Sequence, residues 1–200
     1  MFIEKPICTL ISLKTLKISI KVKNIMNFST NSNQIKTIEF KTCGQLYEEL
    51  KKKYPKLYRN SPSDGLPVSV EYVDSFADKD IKNESDVKTV VAIHGNPGHH
   101  KHFSGLVDYF TQNDGKVRVI VPNMPDFSIT RRTMAFWHSN EERSQFIRDF
   151  LKAIDVQTVD CFISHSAGIH PISLIWTDVS LPLFLILSEI DFDYYYSPGN

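Results

Sequence analysis

Short apolar runs alternate with helix-patterned segments over the central half of the chain. The runs are almost wholly apolar, which is typical of strands covered on both faces. They are residues 87–93, 117–121 and 158–163. The segments with apolar residues at helical spacing are residues 103–110, 140–154 and 169–176. Strand–helix alternation of this kind predicts an α/β fold, with a mostly parallel sheet, right-handed crossovers and helices on both faces.

The flanking segments predict how this sheet is extended. Residues 35–41 and 68–73 alternate apolar and polar side chains, which predicts antiparallel strands at the N-terminal edge. Residues 45–58 predict a short surface helix that Pro55 disturbs near its end. Residues 183–187 read as a further buried strand. For the helix over 140–154, Asn140 is the predicted N-cap.

The N-terminus differs from the rest of the chain. Residues 1–36 hold six lysines and one acid. We expect residues 1–34 to be a basic, poorly ordered extension and residues 35–200 to form a partial domain. Acid-poor basic composition is also compatible with a mitochondrial targeting segment. Two localisations therefore stay open, the cytoplasm, which we favour, and the mitochondrion.

Composition excludes some partners. The 23 Lys and Arg residues balance the 23 Asp and Glu residues, so no net charge attracts nucleic acid. No segment reaches the ~18 consecutive apolar residues of a membrane span. We expect no nucleic-acid partner and no membrane span.

The segment Ser164-His165-Ser166-Ala167-Gly168 places a serine between the third buried run and the helix that follows it. A serine on a sharp strand-to-helix turn projects its hydroxyl outward, and the N–H groups behind it face a developing negative charge. This pattern favours Ser166 as a nucleophile. A serine-rich loop without catalysis is the alternative.

A second turn, His94-Gly95-Asn96-Pro97-Gly98, ends the first buried run. Its small residues leave a backbone N–H free to point into a cleft, where such a donor stabilises an oxyanion by roughly 3–4 kcal/mol. Asn96 would supply one N–H and Ala167 the other. A plain Pro-Gly turn is the alternative.

Together the two turns resemble the α/β-hydrolase family, in a poorly characterised serine-type branch with a His-Gly-x-Pro-Gly oxyanion loop. Residues 123–127 also resemble that family's strand-end loop, with Asp126 where glycine is commoner. The resemblance implies a hydrolase that acts on an ester or related acyl bond of a small molecule and needs no cofactor. It implies Ser166 as nucleophile, Asn96 and Ala167 as oxyanion donors and, by its position after the predicted strand at residues 183–187, Asp191 as the acid. A solvated run of acids is the alternative for Asp191.

The resemblance also implies a catalytic histidine late in the chain, and no histidine follows His170. We therefore expect a C-terminally truncated domain, weakly active or inactive as it stands. The alternative is a non-catalytic binding or interaction protein with the hydrolase scaffold.

Three more histidines cluster just after the oxyanion loop, at His99, His100 and His102. They look like a metal cluster, but no carboxylate or cysteine stands beside them in the sequence. We expect them to be solvated loop residues, and we expect no metal.

Overall fold

The computed structural model of the chain describes residues 34–77, 86–113, 116–125, 127, 139–178 and 184–187. Its strands are β1 (Ile35–Thr42), β2 (Leu66–Asp74), β3 (Lys88–Ile93), β4 (Val117–Pro122), β5 (Cys161–His165) and β6 (Phe184–Leu187). Its helices are α1 (Gly44–Lys53), α2 (Pro55–Tyr58), α3 (Ser104–Asn113), α4 (Asn140–Ala153) and α5 (Ile169–Asp178). Two 3-10 turns, His100–Phe103 and Ser166–Gly168, precede α3 and α5. The predicted extension over residues 1–34 lies outside the described residues, apart from Gln34.

The strands form one mixed sheet in the order β1-β2-β4-β3-β5-β6. β1 and β2 pair antiparallel, and β2 runs antiparallel to β4. β3, β4, β5 and β6 are parallel to one another. The predicted fold class, a mostly parallel sheet with an antiparallel N-terminal edge, is confirmed.

The buried stretches of β3, β4 and β5 are largely apolar because each face of the sheet is covered there. In β3, Val90 and Ala92 pack into the same cluster as Phe103, Val107 and Phe110 of the α3 region. The alternate residues Val91 and Ile93 pack with the buried side chains of α4 and α5 on the opposite face. Those side chains are Phe146, Ile147, Phe150, Ile172 and Ile175. Full burial of such a side chain contributes roughly 1.5–3 kcal/mol, so the two clusters hold the sheet between its helix layers.

The N-cap of α4 is Ser139, and the expectation that Asn140 caps this helix is wrong. Ser139 Oγ accepts a hydrogen bond from the Glu142 N–H at 3.1 Å, and Glu142 Oε2 accepts one from the Ser139 N–H at 3.1 Å. This reciprocal capping box needs an acid three residues after the cap, which Ser139 has in Glu142. Tyr47 also donates to Glu142 Oε1 at 3.0 Å, which anchors α4 on α1.

Two further boundaries differ from the expected ones. The third buried strand begins at Cys161, not at residue 158, because Asp160 meets Thr89 outside the regular ladder. The Thr89 N–H donates to Asp160 Oδ2 at 2.8 Å, and the Asp160 N–H donates to Thr89 O at 2.9 Å. The segment 45–58 forms two helices, with α2 beginning at the Pro55 that was expected to disturb it.

No helix within the described part of the chain combines the length and the apolar character that crossing a membrane requires.

Candidate functional site

Ser166 lies at a sharp turn between β5 and α5. His165 keeps extended backbone angles, and Ser166 then takes a φ of 50° in the left-handed region. A residue other than glycine costs roughly 1–3 kcal/mol in such a conformation. The Ser166 side chain is exposed, although β5 before it is buried. A strained turn that presents a hydroxyl to solvent is typical of a functional position.

Gly168 allows α5 to lie against the end of β3. A Cβ at Gly168 would stand 2.6 Å from Ile93 O and 2.8 Å from His94 O. These are backbone atoms that cannot rotate away, so a side chain here would push the helix off the sheet. The expectation that Gly168 permits this close packing is confirmed.

The turn after β3 touches the turn after β5. Ile93 pairs with Ser164 in the parallel ladder, so the chain leaves both strands at the same edge of the sheet. A Cβ at Gly95 would lie 2.9 Å from Ser166 Cβ and 3.0 Å from His165 Nδ1. The chain that leaves β3 continues to β4 on one side, and the chain that leaves β5 continues to β6 on the other side. Ligands of open α/β sheets bind at such a point, where the connections diverge. The two turns expected to form one site are thus brought together.

His94 fixes the shape of the Gly95 turn. Its ring is fully buried, and its Nε2 accepts a hydrogen bond from the Met124 N–H at 2.9 Å. The proton therefore lies on Nδ1, which donates to Gly95 O at 2.8 Å. Burial lowers the pKa of His94 to about 4, so the ring is neutral at pH 7. The sequence analysis gave His94 no role beyond the turn, although a histidine ending a buried run is a signal of a buried polar contact.

The loop after β4 holds the other end of the same turn. The Gly98 N–H donates to Phe127 O at 2.8 Å. A Cβ at Gly98 would stand 2.4 Å from Gly95 O, so only glycine lets the turn close on itself. The segment around Met124 and Phe127, singled out in the sequence, thus supports the turn at Gly95.

The expected oxyanion donors lie on these two turns. Asn96 is exposed at the tip of the first turn, and Ala167 follows Ser166 in the second. Among the described residues, no acceptor receives a hydrogen bond from the Asn96 N–H. An amide N–H that has no acceptor in the described part of the chain can donate a hydrogen bond to negative charge that develops on a bound substrate.

The described residues do not bring a histidine ring into hydrogen-bond contact with Ser166 Oγ. His165 precedes the serine, and burial lowers its pKa. His170 is exposed on α5, as expected of a helix-face residue. The acid predicted at Asp191 lies outside the described residues.

A second polar cluster lies just after the Gly95 turn, and here the expectation of solvated histidines is wrong for His100. Its side chain is only 1% exposed. Its Nδ1 lies 3.4 Å from Glu71 Oε1 of β2, and His99 Nε2 lies 3.6 Å from the same oxygen. Burial lowers the pKa of both rings, to about 4 for His100. The sequence analysis missed Glu71 because it stands far from the histidines along the chain and only the sheet brings it to them.

A sequence family described as an alpha/beta hydrolase of unknown function (DUF1057) matches residues 50–183. The chain belongs to this family. An uncharacterized protein of Caenorhabditis elegans is 26% identical over 103 residues, which are 50% of this chain and 27% of that protein. Membership in an alpha/beta hydrolase family confirms the family resemblance expected from the two turns.

Solved structures share the alpha/beta hydrolase fold at low identity. The Cif epoxide hydrolase of Acinetobacter nosocomialis has a TM-score of 0.53 and 14% identity, over 85% of this chain and 43% of that one. A putative lipase of Acinetobacter baumannii has a TM-score of 0.51 and 15% identity, over 84% of this chain and 50% of that one. A probable hydrolytic enzyme of Pseudomonas aeruginosa has a TM-score of 0.51 and 16% identity, over 86% and 47%.

The chain spans half or less of the length of these relatives. Proteins named epoxide hydrolase and lipase share the alpha/beta hydrolase fold, so the fold alone does not select a substrate.

Proposed function

We propose that this chain carries the nucleophile and the oxyanion hole of a serine hydrolase that cleaves an ester or related acyl bond of a small molecule. The observation that carries the proposal is the position of Ser166. It is exposed, has a left-handed backbone at the end of β5, and touches the Gly95 turn at the end of β3.

The proposed reaction begins with attack of Ser166 Oγ on the acyl carbon. The carbonyl oxygen then takes up the negative charge, and the N–H groups of Asn96 and Ala167 donate hydrogen bonds to it. Collapse of the tetrahedral species breaks the bond to the leaving group, which departs as an alcohol with the proton that the general base took from Ser166 Oγ during the attack. The acyl group remains on Ser166 until water attacks it. Because the donors are backbone amides of turns fixed by glycine packing and by His94, they need little rearrangement during the reaction.

Attack by a serine hydroxyl at neutral pH requires a general base. None of the described histidines is hydrogen-bonded to Ser166 Oγ, so we propose that the base comes from outside the described residues. Asp191 is the proposed acid on grounds of position alone. When that base is not in place, we expect the chain to hydrolyse esters slowly or not at all.

The test is covalent labelling of the purified chain with a fluorophosphonate, with the modified residue located by peptide mass spectrometry. We expect a single adduct on Ser166, formed slowly, and no adduct in Ser166→Ala. Ser173→Ala is the matched control, since Ser173 is an exposed serine of α5 whose hydroxyl donates to Ile169 O at 2.9 Å. Labelling of Ser166→Ala at the wild-type rate would refute the proposal.

The second candidate is a non-catalytic binding protein on the same scaffold. What favours it is that no described histidine contacts Ser166 Oγ. This candidate predicts that the wild-type chain forms no adduct even at high probe concentration, while an ester-like ligand still binds at the Gly95 and Ser166 turns.

A further inference from the structure

We propose that Glu71, His99 and His100 bind a divalent transition-metal ion, with Zn²⁺ the best fit, beside the oxyanion loop. The site is separate from the proposed acyl chemistry, and its test does not depend on that chemistry. It uses a strand residue and two loop residues that the sheet brings together.

The spacing of the ligand atoms suits a tetrahedral ion. Glu71 Oε1 lies 3.4 Å from His100 Nδ1 and 3.6 Å from His99 Nε2. One ligand atom from each of the three residues lies within 4.8 Å of the other two. Zinc–nitrogen bonds of about 2.0–2.1 Å place neighbouring tetrahedral ligands about 3.4 Å apart. Only small side-chain movements would bring the three groups to one ion, with water as the fourth ligand.

His100 supplies an independent indication of a missing ligand. Its ring is buried, yet neither Nδ1 nor Nε2 forms a hydrogen bond in the described structure. A buried polar atom without a partner costs roughly 1–3 kcal/mol. An ion on Nδ1 would remove that cost at the nitrogen that faces Glu71. Two imidazoles and a carboxylate are donors that suit zinc among the common divalent ions.

Asn123 stands where the ligand atoms converge. Its Oδ1 accepts from the His100 N–H at 2.7 Å, which holds the histidine backbone in place. Its Nδ2 donates to Glu71 Oε1 at 3.3 Å and lies 3.2 Å from His99 Nε2, so it occupies the place between these two ligand atoms that an ion would take. A bound ion therefore displaces the Asn123 amide nitrogen. Asn123→Asp removes this competing donor, keeps an oxygen for the His100 N–H and adds a fourth ligand.

The three ligands lie on two separate elements, so a bound ion would connect them. Glu71 belongs to β2, whereas His99 and His100 directly follow the Gly98 that closes the oxyanion loop. A bound ion would tie that loop to the antiparallel edge of the sheet. Binding should therefore protect the backbone amides of residues 95, 96 and 98–100 from hydrogen exchange.

The experiment is a calorimetric titration of the metal-free, full-length chain with Zn²⁺, repeated with Co²⁺ to record the visible absorption of a tetrahedral site. We expect one ion per chain. Glu71→Gln and His99→Gln should each weaken binding at least tenfold, and Asn123→Asp should strengthen it. His170→Gln is the control, because His170 is an exposed histidine on α5.

Glu71 and His99 are partly exposed, with side-chain exposures of 47% and 33%, so their variants should keep the wild-type circular dichroism. The gain expected for Asn123→Asp is a result that unfolding cannot produce. Absence of Zn²⁺ binding at micromolar concentrations would overturn the proposal. So would affinity that Glu71→Gln and His99→Gln leave unchanged, or that His170→Gln lowers as much as they do.

Discussion

Replacing Gly95 by alanine tests whether the contact between the two turns sets the oxyanion hole. The added Cβ would stand 2.9 Å from Ser166 Cβ, 3.0 Å from His165 Nδ1 and 3.2 Å from His165 O. Ordinary contacts of a Cβ begin at 3.4 Å, so the loop must move away from Ser166 by about half an ångström. Neither Ser166 Cβ nor His165 O is the end of a flexible side chain, and the movement therefore falls on the Gly95 turn.

The size of the expected rate loss follows from how steeply the reaction rate depends on the position of the oxyanion donor. A misplacement of 1 Å costs up to about a hundredfold in rate, so half of that shift should cost about tenfold. The whole oxyanion donor is worth roughly 3–4 kcal/mol, and the expected loss is a fraction of it because Asn96 is moved and not removed. Overpacking should also lower the free energy of unfolding by about 1–3 kcal/mol.

The assay compares the rate of fluorophosphonate labelling of Ser166 with urea unfolding of the same samples. Gly44→Ala is the matched control, since its Cβ would meet Gly65 N at 3.0 Å and Asp64 C at 3.1 Å, away from the turns. We expect both variants to lose stability and only Gly95→Ala to lose labelling rate. A folded Gly95→Ala chain that labels at the wild-type rate would show that the contact does not position the oxyanion donors.

Three further outcomes are expected. Burial holds the pKa of His94 at about 4 in the folded chain, against about 6.5 when unfolded, so the unfolded state binds more protons between these values. The contribution of neutral His94 to stability is thus fully present above pH 6.5 and is lost as the pH falls towards 4. Between pH 7 and pH 5 in metal-free urea titrations, the free energy of unfolding of the wild type should fall by about 2 kcal/mol more than that of His94→Gln. Equal losses would contradict this. Ser139→Ala should lower the free energy of unfolding by about 1 kcal/mol. A larger loss from Asn140→Ala would show that Asn140 is the N-cap of α4. Added imidazole should raise ester hydrolysis by the wild-type chain more than by Ser166→Ala, and equal acceleration of both would show that a missing base does not limit Ser166.

Much of the fold could be predicted because its signals are local. A central strand such as β3 is covered on both faces over Val90 to Ile93 and is therefore apolar at these four consecutive positions, whereas β1 is half-buried and alternates. The turns at Gly95 and Ser166 were recognisable for a related reason, since steric crowding between adjacent strands admits only small residues there. The contact of Gly95 with Ser166 Cβ is the physical origin of that sequence pattern.

The missed N-cap of α4 had a local signal, because Ser139 and Glu142 are three residues apart and form the capping box. The contact of Glu142 with Tyr47 of α1, in contrast, joins residues that are distant in sequence and needs the finished packing. In the same way, Glu71 reaches His99 and His100 only in the folded sheet, where β2 pairs with β4 and β4 pairs with β3. A search for ligands near the histidines in sequence could not find it, since the strand order is what brings the carboxylate to them.

The oxyanion loop is held from the side of β4 as much as from the side of Ser166. His94 binds the Met124 N–H, Gly98 binds Phe127 O, and Asn123 Oδ1 accepts from the His100 N–H. All three partners lie just after β4, and none touches the substrate in the proposed reaction. Their loss should therefore slow acylation of Ser166 without changing the exposure of its hydroxyl. We therefore expect the residues just after β4 to position the Asn96 amide together with the contact between Gly95 and Ser166.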